Sequence, residues 1–224
     1  MRIVVRLGGS VVASPINTDL IGKYADIVRS VKKQGHEVAV VVGGGALARE
    51  FIGIAKNLQL NMDAQDEIAI SCSRLFAQLF LKKVGGVACG KVASTLDEAE
   101  QCLREGKVVV MGGLRPGLTT DAVAAMVAER VDAELLVKGT DQDGVYDKDP
   151  RKHPDAVKQD RLSFGDLERI LEHNVHHAGI HQIIDPVAMQ VLKRKHLRLI
   201  VVNGYKPENI VAAIKGENVG TVIS

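Results

Sequence analysis

An apolar run that ends in three consecutive glycines constrains the fold more than any other stretch of this sequence. Val38 to Val42 are all apolar, Gly43 to Gly45 follow, and a helical pattern containing Arg49 comes next. Such a run predicts a strand buried on both faces, as in a parallel sheet. The glycines allow a sharp turn and let an anion reach backbone N–H groups at the start of the next helix. The stretch predicts a phosphate-type anion site with Arg49 as a cation, and a plain tight turn beside a surface arginine is the alternative.

Three further strand patterns lead into loops that contain glycine. They are Ile3–Leu7 before Gly8-Gly9-Ser10, Lys107–Met111 before Gly112-Gly113, and Leu135–Lys138 before Gly139. In an open parallel sheet, the loops at the carboxyl ends of the strands form the ligand crevice. The sequence therefore predicts an α/β fold whose ligand crevice is lined by these loops.

A charged residue interrupts the first of these strands. Arg6 lies in an otherwise apolar run, just before the glycine turn. A buried guanidinium is costly unless it is paired or reaches the mouth of a site. A bound anion is the partner favoured here, and a nearby carboxylate, Asp141 or Asp143, is the alternative.

Helical spacing predicts helices over Thr18–Lys33, Ala46–Leu58 and about Asp66 to Lys83. Asp66 at the start of the third helix fits an N-cap, and its carboxylate fits equally well a contact to the hydroxyls of a sugar. The buried stripe predicted for this helix consists of Ala69, Cys72, Leu75, Phe76 and Leu79.

Polar residues at two other turns allow both a structural and a functional interpretation. Thr119, Thr120 and Asp121 precede a helical pattern, so capping explains one of them and ligand contacts the others. Asp143-Gly144 is a hairpin turn signal, and the following Tyr146 stacks on a flat ring or packs against the hairpin.

Composition argues against nucleic acid and membrane partners. The net charge is only +2, no Trp is present, and no basic block occurs. The sequence has no apolar run of transmembrane length, and it starts in a strand pattern rather than a signal peptide. We therefore expect a soluble, cytoplasmic protein.

Neither the cysteines nor the histidines predict a metal site. Cys72, Cys89 and Cys102 lie in apolar patterns without C-x-x-C spacing, which predicts unpaired core residues in a reducing compartment. The chain also holds a group of histidines whose interrupted helical spacing favours a solvated or interface segment over a metal site. These are His173, His176, His177 and His181.

Taken in order, the motifs resemble the amino acid kinase superfamily and, within it, the archaeal branch of the UMP kinases. They are Gly8-Gly9-Ser10, Gly43-Gly44-Gly45 with Arg49, Gly112-Gly113 with Pro116-Gly117 and Thr119-Thr120-Asp121, Asp143 to Tyr146 with Asp149-Pro150, Ala178-Gly179, and Ile184 to Pro186. The resemblance implies a three-layer αβα sandwich around a mainly parallel sheet. It also implies one domain over 1–224, with an acceptor lobe at about 1–131 and an ATP lobe at about 132–224.

The same resemblance implies an activity and roles for individual residues. Members usually form homohexamers and transfer the γ-phosphoryl group of ATP to UMP, with Mg²⁺ held mainly by nucleotide phosphates rather than by a protein cage. The implied UMP contacts are Gly44, Asp66, Leu114, Arg115, Pro116, Gly117, Leu118, Thr119 and Thr120. The implied ATP contacts are Gly9, Ser10, Gly45, Arg49, Thr140, Tyr146 and Asp149, and the implied catalytic residues are Arg6, Arg49 and Asp143.

Two departures and three alternatives accompany this resemblance. Arg6 stands where many members carry lysine, and Asp141 stands where relatives often carry asparagine or lysine. The alternatives are a superfamily kinase for an acyl-amino acid, carbamate or isopentenyl phosphate, a non-catalytic nucleotide sensor or storage protein of the same fold, and a dehydrogenase. The dehydrogenase is the weakest, because no G-x-G-x-x-G fingerprint follows the first strand.

Overall fold

A computed structural model describes residues 1–175 and 184–224 of the chain, with side chains over 1–171 and 184–224. The histidine segment and the Ala178-Gly179 motif lie outside the described residues, apart from the backbone of His173. The helices are α1 Gly9–Val12, α2 Thr18–Lys33, α3 Gly45–Asn57, α4 Met62–Val84, α5 Leu96–Arg104, α6 Thr120–Arg130, α7 Phe164–Val175, α8 Pro186–Lys195 and α9 Glu208–Ile214. The strands are β1 Arg2–Leu7, β2 Glu37–Val42, β3 Val109–Met111, β4 Leu135–Thr140, β5 Val145–Tyr146, β6 Lys158–Gln159, β7 Arg161–Leu162, β8 Leu199–Asn203 and β9 Thr221–Ile223.

Among the described residues, seven strands form one sheet in the order β3-β2-β1-β4-β8-β9-β7. The neighbours from β3 to β8 are parallel, while β9 runs antiparallel to β8. Residues of β1 alternate between the two faces because successive side chains of a strand point in opposite directions. Ile3 and Val5 pack with α2, α4 and α9 on one face, and Val4 packs with α5, α6 and α8 on the other. The α/β sandwich around a mainly parallel sheet is thus confirmed.

The helix α4 begins four residues earlier than predicted. The side chain of Asn61 accepts a hydrogen bond from the N–H of Ala64 at 2.9 Å and caps the helix. Asp66 consequently lies in the second turn, and the interpretation of Asp66 as the N-cap was wrong. Its side chain is free to face the neighbouring loop instead.

The predicted buried stripe of α4 was also wrong in part. Leu75 is 60% exposed and Leu79 is 50% exposed, whereas Phe76, Ala77 and Phe80 face the core. The stripe is rotated because the sheet and α2 cover only the side of α4 that carries these three residues. Hydrophobic spacing identifies an apolar face, but it does not show what covers that face.

Two further local predictions need correction. Asp143-Gly144 does not close a hairpin between paired neighbours, because β5 pairs with β6 across a long loop rather than with β4. Cys89 and Cys102 form a disulfide bond, so only Cys72 remains the unpaired, buried cysteine that the sequence predicts. Cys89 lies in the segment between α4 and α5, and Cys102 lies on α5. Their proximity depends on tertiary packing, which the spacing in the sequence does not reveal.

Within the described part of the chain, no helix is long and apolar enough to cross a membrane.

Candidate active site

The first two glycine turns touch each other, backbone against backbone. A Cβ atom on Gly9 would lie 2.3 Å from the nitrogen of Gly45, and one on Gly43 would lie 2.8 Å from the nitrogen of Gly9. Gly45 also has a φ of +61°, which favours glycine. The turns after β1 and β2 therefore form a side-chain-free surface at the carboxyl ends of two adjacent strands. No side chain caps the first turn of α3, and one of its N–H groups, that of Ala46, donates to the carbonyl oxygen of Ala13 at 3.1 Å.

Arg49 lies about one turn into α3, as predicted. Its Nη2 donates a hydrogen bond to the Oγ of Ser14 at 3.0 Å, and the side chain is exposed. The guanidinium thus lies beside the loop that follows α1.

A buried cluster of three charges lies next to these turns. Arg6 Nε is 2.7 Å from Asp121 Oδ1, and Lys138 Nζ is 2.6 Å from Asp121 Oδ2. Arg6 Nη2 also donates to Thr120 Oγ1 at 3.1 Å. The carboxylate partner of Arg6 is therefore Asp121 on α6, and neither Asp141 nor Asp143 takes that place.

The charges of the cluster determine its protonation. Burial alone would raise the pKa of Asp121, but the charges of Arg6 and Lys138 outweigh it and lower that pKa below its usual value. Burial lowers the pKa of Lys138, and Asp121 opposes this effect. The charge of Asp185 also raises the pKa of Lys138. Arg6 Nη1 lies 3.0 Å from the position of a Cβ on Gly8, so the positive charge of Arg6 adjoins the first glycine turn.

The loop after β3 is held against α4. Asp66 Oδ2 accepts a hydrogen bond from the N–H of Gly117 at 2.7 Å. Arg74 donates to the carbonyl oxygens of Gly113 and Leu114, at 3.0 Å each. The structure thus brings Asp66 together with the glycine-proline loop, as the resemblance implies. Arg115 is exposed on this loop, and Pro116 and Leu118 are half-buried.

The threonines at the end of this loop have different partners. Thr119 accepts from the N–H of Ala122 at 3.1 Å, so it caps α6. The Thr119 hydroxyl also donates to Asp185, whose carboxylate caps α8. Thr120 faces Arg6, and its Oγ1 lies 3.5 Å from the position of a Cβ on Gly43. Capping therefore explains Thr119, while Thr120 adjoins the glycine turns.

The C-terminal half supplies the opposite side of the crevice. The Thr140 carbonyl oxygen accepts from the N–H of Gly204 at 2.7 Å, and Asp143 Oδ1 accepts from Asn203 Nδ2 at 2.8 Å. Asp141 pairs with Arg151, so its extra negative charge has a cation beside it. Tyr146 and Asp149 lie farther along the chain, in β5 and in the loop after it.

Sequence reasoning missed several residues of this region. Lys138 is a charge within a buried strand, the same signal that identifies Arg6, and it could have been found in the same way. Arg74 on α4, Asn203 at the end of β8 and Tyr205 directly after it gave no such signal, because a polar residue is ordinary at each of these places.

Comparison with known proteins shows which family the chain belongs to. The model of the amino acid kinase family matches residues 1–203. The chain belongs to the amino acid kinase family. A uridylate kinase of Methanocaldococcus jannaschii is 43% identical over 225 residues, which cover 100% of this chain and 99% of the relative. A uridylate kinase of Halorubrum lacusprofundi is 42% identical and covers 99% of this chain and 92% of the relative.

Solved structures agree with the family assignment. The crystal structure of a uridylate kinase from Archaeoglobus fulgidus is 41% identical, with a TM-score of 0.91 and complete coverage of both chains. The UMP kinase structure from Bacillus anthracis shares the fold at 21% identity, with a TM-score of 0.83 over 100% of this chain and 95% of that one.

Proposed function

We propose that this member of the amino acid kinase family is a uridylate kinase, which transfers the γ-phosphoryl group of ATP to UMP and gives ADP and UDP. The observation that carries the proposal is the full-length similarity, at 38 to 43% identity, to relatives named uridylate kinase. The reaction belongs to pyrimidine nucleotide biosynthesis. A kinase for free nucleotides works where ATP and UMP are made and used, so we propose the cytoplasm as its compartment.

Phosphoryl transfer requires positioning and neutralisation of charge rather than a covalent nucleophile. We propose that the surface formed by Gly9, Gly43 and Gly45 holds the transferring phosphoryl group through the N–H groups of Gly9 and Gly45, because the N–H of Gly43 already donates to the Leu7 carbonyl oxygen at 3.1 Å. Arg6 and Arg49 then supply positive charge, and Ser10 completes the turn. Asp121 holds Arg6 so that its guanidinium lies beside the first glycine turn, where negative charge develops.

The UMP contacts are proposed on the N-terminal side of the crevice. Gly44 offers its N–H group to the UMP phosphate, and Asp66 accepts from the ribose hydroxyls. Asp66 also holds Gly117, so the loop from Leu114 to Thr120 lies close enough to enclose the uridine. Thr140, Asp143, Tyr146 and Asp149 are proposed for the ATP side.

Magnesium is proposed to enter with ATP. Among the described residues, no group of three or more His, Cys, Asp or Glu side chains is arranged to hold a metal ion. The donors present fit an ion whose first ligands are nucleotide phosphates and water, because Mg²⁺ keeps several waters and takes few carboxylates. Asp143, in the loop after β4, would offer its carboxylate to the water shell of the ion. The ion neutralises phosphate charge when it is bound.

A homohexamer is proposed from the family resemblance, and an exposed apolar surface supports self-association. We call the exposed apolar side chains of α3, α4 and the turn between them the α3–α4 face. It comprises Phe51, Ile54, Leu58, Leu60, Met62, Leu75 and Leu79, each at least 39% exposed. Several exposed large apolar residues on one helix pair are typical of an interface. Light scattering at micromolar concentration should give six times the mass of one chain, and a monomer would refute the proposal.

The acceptor decides the proposed function. A coupled assay of ADP release should compare UMP, CMP, dTMP, acetylglutamate, carbamate and isopentenyl phosphate under the same conditions. We expect the highest kcat/KM with UMP. Preferred turnover of a non-nucleotide acceptor would overturn the proposal in favour of another kinase of the superfamily. Binding of nucleotides without turnover of any acceptor would favour a sensor or storage protein.

A further inference from the structure

A short segment that begins at the last residue of β8 contacts Thr140, Asp143 and Ser10, which are all assigned to the proposed ATP side. We call Asn203, Gly204 and Tyr205 the β8 clasp. Its Gly204 N–H donates to the carbonyl oxygen of Thr140 at 2.7 Å, and its Asn203 Nδ2 donates to Asp143 Oδ1 at 2.8 Å. The Tyr205 hydroxyl reaches 195 residues back along the chain and donates to the carbonyl oxygen of Ser10 at 3.2 Å.

The backbone of the clasp is held at Gly204 by residues of α1 and α2. The buried hydroxyl of Tyr24 on α2 donates to the Gly204 carbonyl oxygen at 2.7 Å. A Cβ on Gly204 would lie 2.8 Å from a methyl group of Val11, so glycine is needed for this close approach. Contacts with α1 and α2 therefore fix the position of the clasp backbone, from which the side chains of Asn203 and Tyr205 extend.

The two polar side chains of the clasp are linked to each other. The Tyr205 N–H donates to Asn203 Oδ1 at 2.8 Å, while the Nδ2 of the same amide holds Asp143. A continuous series of hydrogen bonds thus runs from Asp143 through Asn203 and Tyr205 to Ser10. It joins the loop after β4 to the first glycine turn.

We propose that Asn203 and Tyr205 are positioning residues for ATP, which set the spacing between the Ser10 turn and the Asp143 loop. The inference rests on the proposed function, since these two segments are the ones assigned to the phosphates and the ATP side. The loop after β3, which is proposed to contact UMP, is held separately, by Asp66 and Arg74 on α4. Loss of the clasp contacts should therefore weaken the binding of ATP and leave the binding of UMP unaffected.

Two variants interrupt the series of hydrogen bonds. Tyr205→Phe deletes only the hydroxyl, whereas Asn203→Ala deletes both the contact with Asp143 and the acceptor of the Tyr205 N–H. We expect Tyr205→Phe to raise the KM for ATP about two- to tenfold, the range for one neutral hydrogen bond, and Asn203→Ala to raise it at least as much, with kcat and the KM for UMP within twofold of wild type in both. Because both changes interrupt one series of bonds, the double variant should raise the KM for ATP by less than the product of the single effects.

A control variant distinguishes a positioning role from a general destabilisation of the fold. Lys206→Gln changes the exposed neighbour of Tyr205 and should leave all three constants and the melting temperature unchanged. An unchanged KM for ATP in Tyr205→Phe, or equal rises in the KM values for ATP and UMP, would overturn the inference.

Binding measurements keep this result distinct from the identity of the acceptor. Titration calorimetry with a non-hydrolysable ATP analogue should show the same weakening in Tyr205→Phe as the kinetics. If wild type prefers another acceptor, the proposed function fails, and the clasp is judged by the KM for ATP with that acceptor. If wild type prefers UMP but both variants bind the analogue normally, the clasp inference alone fails.

Discussion

Arg6 and Lys138 are direct register partners on the adjacent parallel strands β1 and β4, and both of their side chains reach the carboxylate of Asp121. Two cations at the same height on neighbouring strands would repel each other without this shared partner. Arg6 Nε and Asp121 Oδ1 are close but are not aligned as a hydrogen bond, so their contact is mainly electrostatic. The position of both cations beside the glycine turns therefore depends on a residue of α6.

The first prediction concerns the charge of Asp121. Asp121→Asn keeps the shape of the side chain but removes the carboxylate that Arg6 and Lys138 share. Removing one partner of a buried ion pair typically costs about 3–5 kcal/mol, and we expect a loss of unfolding free energy in that range. Urea denaturation at neutral pH measures it.

A surface pair provides the control for Asp121→Asn. Asp97, 82% exposed, pairs with Arg130, and Asp97→Asn should cost only about 0–1 kcal/mol. If the two variants lose the same free energy, Asp121 does not hold the cluster together.

The second prediction is a pH dependence at the start of α5. Glu98 accepts hydrogen bonds from Lys91 Nζ at 2.6 Å and from the N–H and hydroxyl of Ser94, which lower its pKa to about 2. A carboxylate with a lowered native pKa stabilises the fold fully above its unfolded pKa of about 4.3 and loses this contribution as the pH falls toward 2. The melting temperature of wild type should exceed that of Glu98→Gln at pH 7, and the difference should vanish near pH 2. Glu50→Gln on the exposed surface of α3 is the control, and a pH-independent difference at position 98 would contradict the assignment.

The third prediction concerns the disulfide. Cys89 and Cys102 are 13 residues apart, and closing a loop of this size stabilises a fold by about 3 kcal/mol in the chain-entropy model. Thiol titration of unfolded, unreduced protein should find one thiol, from Cys72, and three after reduction. Reductant should lower the melting temperature of wild type and leave Cys102→Ser unchanged. Three thiols before reduction would show that the bond does not form.

The strands of the four apolar runs and the bounds of α2 and α3 were predictable to within a few residues, because local pattern determines them, whereas the two-residue strands β6 and β7 were not predicted. The apolar run at Val38 predicts a doubly buried strand, and α2 has the predicted bounds Thr18–Lys33. The glycine turns after β1, β2 and β4 do lie next to each other, since a parallel sheet brings the carboxyl ends of its strands to the same edge. These features follow from residue type and spacing alone.

The partners of the charged residues were not predictable, because they depend on packing between distant segments. Arg6 was expected to face an anion or a carboxylate near residue 141, but α6 crosses the end of β1 and supplies Asp121 instead. Leu75 and Leu79 were assigned to the core because helical spacing does not distinguish a core face from an exposed apolar face. The link from Tyr205 to Ser10 joins opposite ends of the sequence, and no local pattern reports such a contact.

The fourth prediction separates two roles of Asp66. Asp66→Asn retains an oxygen that can accept from the Gly117 N–H, but it loses the charge proposed to bind the ribose hydroxyls. A charge-assisted contact contributes about 1.5–3 kcal/mol, so the KM for UMP should rise roughly ten- to 150-fold while the KM for ATP changes little. Asp66→Ala also removes the hydrogen bond with the Gly117 N–H and should weaken the binding of UMP further. Equal losses for UMP and ATP in Asp66→Asn would refute the assignment of Asp66 to the acceptor.

The fifth prediction assigns catalysis to Arg6. Asp121 holds the Nε side of the guanidinium, while Nη1 lies near Gly8, where the transferring phosphoryl group is proposed to bind. A cation directed at charge that develops in the transition state contributes about 10²–10³ in kcat. Arg6→Ala should lower kcat by about that factor with smaller changes in both KM values, and Arg6→Lys should keep part of the activity because the charge remains.

The ion pair with Asp121 makes stability alone an insufficient readout for Arg6. Arg6→Ala leaves Asp121 paired with Lys138 only, so the melting temperature should fall whether or not Arg6 is catalytic. Single-turnover rates measured well below the melting temperature of the variant separate the two roles, because a purely structural arginine would leave the chemistry of the folded protein intact. A folded Arg6→Ala variant with a rate within a few-fold of wild type would end the catalytic assignment and leave Arg6 as a structural partner of Asp121.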